Sequence, residues 1–520
     1  MSIAFNNFSV SESQFVSSLK SAMFTTLNRS YSLRTNLNLA IFFRTKSFSS
    51  TKIKSLKSNN LFSRISPLRH PSHVIPVIEN WVEEGRKVQK IEFQRIIRDL
   101  RSRKRYSQAL QVSEWMKGRG LCTFSPGDCA VHLDLVGVVH GWSAAESYFD
   151  SLKGQEKNDK TYGALLNCYV RAGLLDKSLC HVQKMKEIGC ASNTLVYNNL
   201  MCLYKSAGQP DKAIEVLEDM KANGIIPNNF SYRICISCYG EKSDLNNLEK
   251  LLQEMENDPH ISMDWTSYSI AANHYIRANL MDKAVICLKK LEDTLRRDAI
   301  GYNHLISLYS QLGNANEVMR LWGVQEIVCK KHINRDYITM LGALVKLGEF
   351  EKAEKVLEDW ESSFRIYDLR VPNILLIGYC QIDLIEKAED MLRNIVKKGK
   401  VPTPNSWSIV AAGYMNRDNM EKAFECMKEA LLVKEQNPKW APKPRPVINI
   451  LNWLGNRGEI DEVEAFVSSL KEVSKGDKYM YHALTKANVT GGKNSDRILE
   501  SMKADNIQKD EEIENILSLR

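Results

Sequence analysis

The chain has 520 residues, 43% of them apolar and 26% charged, which is the composition of an ordinary water-soluble protein. It contains no unbroken apolar run of about 18 residues, so no transmembrane helix is expected. The formal net charge of +9 lies wholly in residues 1–90, where 13 Lys and Arg face 4 Asp and Glu; the rest of the chain is neutral, which removes net charge as a sign of nucleic-acid binding.

The first segment in chain order, residues 1–58, has a single acidic residue, Glu12, and is rich in Ser, Thr, Asn, Phe, Arg and Lys. That composition predicts a cleavable organelle-targeting leader. Arg29-Ser30-Tyr31-Ser32 and Lys46-Ser47-Phe48-Ser49 fit a mitochondrial cleavage pattern, with the chloroplast as the alternative destination. Residues 59–89 are expected to be a linker. Twelve cysteines follow without paired spacings, which points to a reducing compartment rather than a disulfide framework. The lone Cys235-x-x-Cys238 lacks a second pair for zinc and is expected to be helix core.

From residue 159 onward one pattern repeats. Tyr162, Tyr197, Tyr232, Tyr268, Tyr302 and Tyr337 follow at intervals of 35, 35, 36, 34 and 35, and Trp407 and Tyr481 continue the column. A small residue lies 16 positions after most of them (Ser178, Ala213, Ala284, Ala353), with Ala388 and Ala423 in register. Gly173, Gly208, Gly313 and Gly348 fall between. In 194–228, apolar residues recur at helical spacing up to Tyr204, Gly208 and Pro210 break the helix, and Ala213, Val216, Leu217 and Met220 form the face of a second helix. A fixed period in this range predicts stacked helix-turn-helix units, none able to bury its apolar face alone. The aromatic and alanine columns are therefore expected to be core.

The period near 35, the Tyr-Asn-x-Leu opening at Tyr197, the Gly turn and the Met-x-x-x-Gly-x-x-Pro close at Met220 resemble the pentatricopeptide repeat. Tyr162-Gly163-Ala164-Leu165-Leu166-Asn167-Cys168-Tyr169, Ser113-Glu114-Trp115-Met116 and Ala411-Ala412-Gly413-Tyr414 are similar to short plant members of its P class. The resemblance implies an all-α, right-handed superhelical solenoid of about twelve units, starting near 90, 126, 159, 194, 229, 265, 299, 334, 369, 404, 444 and 478. Units in 90–158 and 404–512 are degenerate, those in 159–403 regular, and 513–520 is a tail.

The resemblance further implies binding of single-stranded organellar RNA, one base per unit, in mitochondrial RNA processing, stabilisation or translation. In the family the fifth and last residues of a unit meet the base edge and the second packs on its face. Carried over, Asn198 and Asn228 with Leu195 select a pyrimidine, Ser269 with Asp298 resembles a guanine reader, and Asn303 with Ile300 selects a pyrimidine. Gly163 with Asn193, Arg233 with Asp264, Ile338 with Asp368 and Asn373 with Thr403 depart from the family's pattern. Phosphate contacts are expected from Arg95, Arg98, Arg101, Arg103, Lys104 and Arg105, the densest basic stretch after the leader, and from the second-position cations Lys160, Arg335, Arg370 and Arg445. A structural role in the mitochondrial ribosome, holding RNA and protein without reading sequence, is the alternative, and processing enzymes are further expected partners. No Walker loop, Gly-x-Gly-x-x-Gly or His-Glu-x-x-His occurs, so no catalysis, cofactor, metal or small-molecule substrate is expected.

Overall fold

The computed structural model describes residues 60–68, 70–86, 89–118, 123–364, 366–437 and 440–518. The expected leader, 1–58, lies outside them. The described residues form 27 α-helices and no strand. The chain divides into two compact units, Met1–His274 and Tyr275–Arg520. Each is a stack of antiparallel helix pairs, which makes the fold an all-α solenoid.

The pair Thr194–Ser206 and Pro210–Ala222 shows why the sequence folds this way. Asn193 caps the first helix by accepting the Val196 N–H, satisfying an otherwise unpaired donor. Gly208 ends it in the left-handed region with φ +70°, and Gln209 N donates back to Tyr204 O at 2.9 Å. Pro210 then opens the second helix, where its missing N–H costs nothing. Ala213 is fully buried at the crossing of the two helices. In other pairs the same turn is made without glycine: Ser243, Asn279, Asp383 and Asp418 take φ between 56° and 65°. Backbone geometry at that point outranks residue preference, at a cost of about 1–2 kcal/mol for a residue with a Cβ.

The tyrosine column is buried as the repeat predicts, from Tyr162 to Tyr337 and on through Trp407 and Tyr481. A second set of tyrosines ties consecutive pairs together through carboxylates: Tyr169 Oη donates to Glu146 at 2.7 Å and Tyr379 Oη to Glu354 at 2.6 Å. Successive first helices approach so closely that glycine is built into the contact. A Cβ on Gly137 would stand 2.3 Å from Cys168 Sγ, and one on Gly240 2.2 Å from the His274 ring. Gly378 against Val345 and Gly413 against Cys380 repeat the arrangement at 2.8 and 2.9 Å.

The ends differ from the sequence expectation. Residues 59–89, expected as a linker, contain the helices Leu61–Ile65 and Val74–Glu83. Their Leu61, Ile65, Val74, Ile78 and Trp81 share one core with Phe93, Ile96, Leu100 and Trp115 of the first full pair. The expected tail likewise carries most of a helix, Glu511–Ser518, which buries Ile513 and Ile516. Both ends cover an apolar face that would otherwise meet water. Cys235 and Cys238 are fully buried, and burial pushes both thiols up, Cys238 to about 11. No helix among the described residues is long and apolar enough to cross a membrane.

Candidate nucleic-acid interface

The last residue of one unit is the N-cap of the next unit's first helix. Asn158 accepts from Lys160 and Thr161 N–H, Asn228 from Phe230 and Ser231, Asp298 from Ile300 and Gly301, and Thr403 from Ser406. Asn, Asp and Thr recur at this position because a short acceptor side chain is what a helix start requires. The second and fifth residues lie one turn apart on the helix thus started, so they share a face. In several units the fifth residue lies beside the residue that starts the following helix.

This brings together Asn198 and Asn228. Asn198 Nδ2 donates to Asn228 Oδ1 at 3.3 Å, while Asn198 Oδ1 accepts from Ser231 Oγ at 2.7 Å. Leu195, on the same face, is 39% exposed. Asn303 is buried in a different network: its Nδ2 donates to Asp336 Oδ1 at 2.6 Å, and its Oδ1 accepts from Gln325 Nε2 at 3.2 Å. Ile300 and Ile333 flank it, both exposed. Ser269 is buried and Asp298 spends its Oδ1 on the cap; they belong to different compact units.

Two further pairs share the Asn198–Asn228 arrangement: Arg233–Asp264, which departs from the family's pattern, and His482–Asp510, which the sequence did not single out. Arg233 Nη1 donates to Asp264 Oδ2 at 2.8 Å, and His482 Nε2 lies 2.9 and 3.0 Å from the two Asp510 oxygens. Each joins the fifth residue of a first helix to the residue just before the following one, Asp264 before Trp265 and Asp510 before Glu511. Their residue types simply do not match the family's pairs.

The basic stretch divides. Arg101 pairs with Asp134 at 2.6 Å, and the same carboxylate takes Arg171. Arg103 pairs with Asp99 at 2.9 Å. Arg105 donates to the Ser66 and Leu68 carbonyls at 2.7 and 2.9 Å, tying the N-terminal helices down. Arg95 lies over the Phe62 ring at 5.1 Å. Arg98 and Lys104 are exposed. Of the second-position cations, Arg370 is held by Asp368 at 2.6 Å, and Arg335 lies 3.7 Å from Asp336. Among the described residues no His, Cys, Asp and Glu group could hold a metal ion.

Tandem antiparallel pairs with polar pairs repeated along their first helices define a helical-repeat protein of the solenoid class. The PPR repeat family model matches residues 192–241, and the PPR repeat model matches 160–190, 230–259, 300–323, 336–363 and 371–399. A mitochondrial pentatricopeptide repeat-containing protein of Arabidopsis thaliana is 49% identical over 468 residues, covering 89% of this chain and 95% of that protein. The chain belongs to the pentatricopeptide repeat family. The large ribosomal subunit protein mL101 of Arabidopsis thaliana is 36% identical over 443 residues, covering 85% of this chain and 90% of its own. The crystal structure of the maize pentatricopeptide repeat protein PPR10 in complex with an 18-nt psaJ RNA element aligns over 88% of this chain and 74% of that one, at 15% identity and a TM-score of 0.40.

Proposed function

We propose that this chain is a mitochondrial single-stranded RNA-binding protein acting in RNA processing, stabilisation or translation. The observation that carries the reading is the fifth-to-last pairing on the first helices, met at Asn198–Asn228, Arg233–Asp264 and His482–Asp510. Polar groups paired in this way on the first helices of stacked units suit contact with the edges of unstacked bases. The mitochondrial relative supports the compartment. No catalysis is assigned to the chain; cleavage or editing of its RNA belongs to a partner.

A second reading, a structural component of the mitochondrial ribosome, is favoured by the likeness to mL101 and by the number of arginines spent on internal pairs. Sedimentation of mitochondrial extract with and without RNase, followed by sequencing of the co-purifying RNA, separates the two. A discrete footprint on one transcript, away from ribosomes, supports the RNA factor. Migration with a ribosomal subunit and recovery of ribosomal RNA alone supports the component.

A further inference from the structure

Within Tyr275–Arg520 the stack of helix pairs has two edges of different character. One edge carries the turns inside the pairs, and cations there face carboxylates. Arg417 meets Asp383 and, at 3.0 Å, Glu386; Arg457 meets Glu459 at 2.6 Å; Lys352 meets Glu349 at 3.0 Å. At the other edge second helices end and the next pairs begin. The stretches 326–333, 361–368 and 396–401 stand side by side there. His332 stacks on Trp322 at 3.7 Å and meets Tyr337 at 5.7 Å, and Tyr337 meets Phe364 at 5.7 Å. Lys398 Nζ donates to Glu361 at 2.7 Å, and Lys400 Nζ lies 5.9 Å from the Tyr367 ring centroid.

The side chains that this second edge turns outward are of two kinds. Ile327 and Ile366 are 78% and 83% exposed, and Val396 and Val401 are 45% and 49% exposed. Lys330, Lys331, Lys397 and Lys400 are exposed, and among the described residues none of them meets a carboxylate. Among the described residues of the three stretches Glu326 is the exposed carboxylate, so positive charge is in surplus. Aliphatic groups recurring at successive joins differ from singly scattered surface residues, which need no explanation.

We propose that this edge is a peripheral binding surface for an anionic phospholipid bilayer. The isoleucines and valines enter the boundary between headgroups and acyl chains, and the lysines lay their apolar stems along it with the ammonium groups at the phosphates. The interleaving favours this occupant: Val396 adjoins Lys397, Lys400 adjoins Val401, and Lys330 and Lys331 follow Ile327. A nucleic acid would satisfy the lysines and leave the aliphatic groups in water. A folded partner calls for a contiguous apolar patch, whereas a lipid surface yields around each group separately. Among the described residues no helix is long and apolar enough to cross a membrane, so the contact is made from one side. This goes beyond RNA binding, because it sets the chain against a membrane.

The test is flotation of the chain purified from mitochondria and treated with RNase, mixed with phosphatidylcholine vesicles with or without phosphatidylglycerol. The wild type is expected to float with the anionic vesicles at low salt and to stay behind with the neutral ones. Lys330→Gln with Lys331→Gln should weaken binding about thirtyfold. Ile327→Ser with Ile366→Ser keeps every charge and should weaken it by about tenfold or more, with helix content unchanged by circular dichroism. Lys352→Gln with Arg417→Gln removes the same charge from the opposite edge and should bind as the wild type does.

No flotation, or equal flotation with neutral vesicles, overturns the proposal. So does a bound fraction that the isoleucine variant leaves unchanged, or one that the opposite-edge variant lowers equally. Loss of RNA retention by the isoleucine variant in a filter assay gives the edge to RNA and overturns it. A dimer that this variant dissolves, with no flotation, gives the edge to a second copy and overturns it likewise.

Discussion

Asn198 and Asn228 share a hydrogen bond of 3.3 Å, yet they hold different second jobs. Asn228 caps the next helix, so removing it costs about 1 kcal/mol of stability whatever it does with RNA. Asn198→Ala combined with Asn228→Ser keeps a capping oxygen and removes both amides. Affinity for the chain's own RNA is expected to fall in a filter-binding assay while helix content holds; unchanged affinity takes these residues out of the interface. Another residue-scale outcome concerns His132, whose Nδ1 lies 2.8 Å from Ser113 Oγ beneath the Tyr148 ring. Burial, and then the charge of Lys117, push its pKa down to about 4. In the unfolded chain the imidazole protonates near about 6.5, so the unfolded state takes the proton first as pH falls. The stability held by neutral His132 is complete above about pH 6.5 and is lost toward about pH 4, on the order of 3 kcal/mol in all. Urea unfolding across that range should show a shallower pH dependence for His132→Gln than for the wild type.

At the scale of the element, the close approach of first helices is the feature most exposed to mutation. Gly137 faces Cys168 with 2.3 Å between the sulfur and the Cβ it lacks, and the Cys168 Cβ itself would be 3.2 Å away. Gly137→Val therefore drives two helices apart or forces Cys168 off its rotamer, and overpacking of this kind costs about 1–3 kcal/mol. The check is a lower thermal midpoint, with amide exchange quickened in Pro126–Val139 and Asp159–Arg171 rather than throughout the chain. Exchange unchanged in those two helices would mean the contact is softer than the geometry shows. Locality is expected because each repeat touches only its neighbours.

For the whole molecule the deciding quantity is where positive charge remains uncommitted. The region after residue 90 is neutral, and Arg101, Arg103 and Arg105 are spent on Asp134, Asp99 and backbone carbonyls. Arg98 and Lys104 remain exposed in the same stretch. If they meet phosphate, replacing both by Gln should flatten the plot of log affinity against log salt by about 0.7 per lost contact. A slope equal to that of the wild type assigns the stretch to the fold alone.

The sequence by itself determined the period, the helix pairs, the buried tyrosine column and the glycine turns, because these depend on contacts within one unit and on the chain's own punctuation. The recurring Asn and Asp at the unit ends were equally legible as helix starts. Which polar groups are left for a ligand was decided only by stacking. Asn303 looks like Asn198 in its own unit, but its amide is taken by Asp336, the third residue of the next unit, where Asn198 meets Ser231. Arg101 reads as a free cation until Asp134, one unit on, is set against it at 2.6 Å. The terminal helices, too short and irregular to fit the repeat, read as linker and tail in the sequence because only tertiary contact reveals what they cover. The physical reason is the same throughout. A hydrogen-bond partner roughly one repeat away becomes a neighbour when the units stack, and the choice among competing partners is settled by distances that no single unit contains.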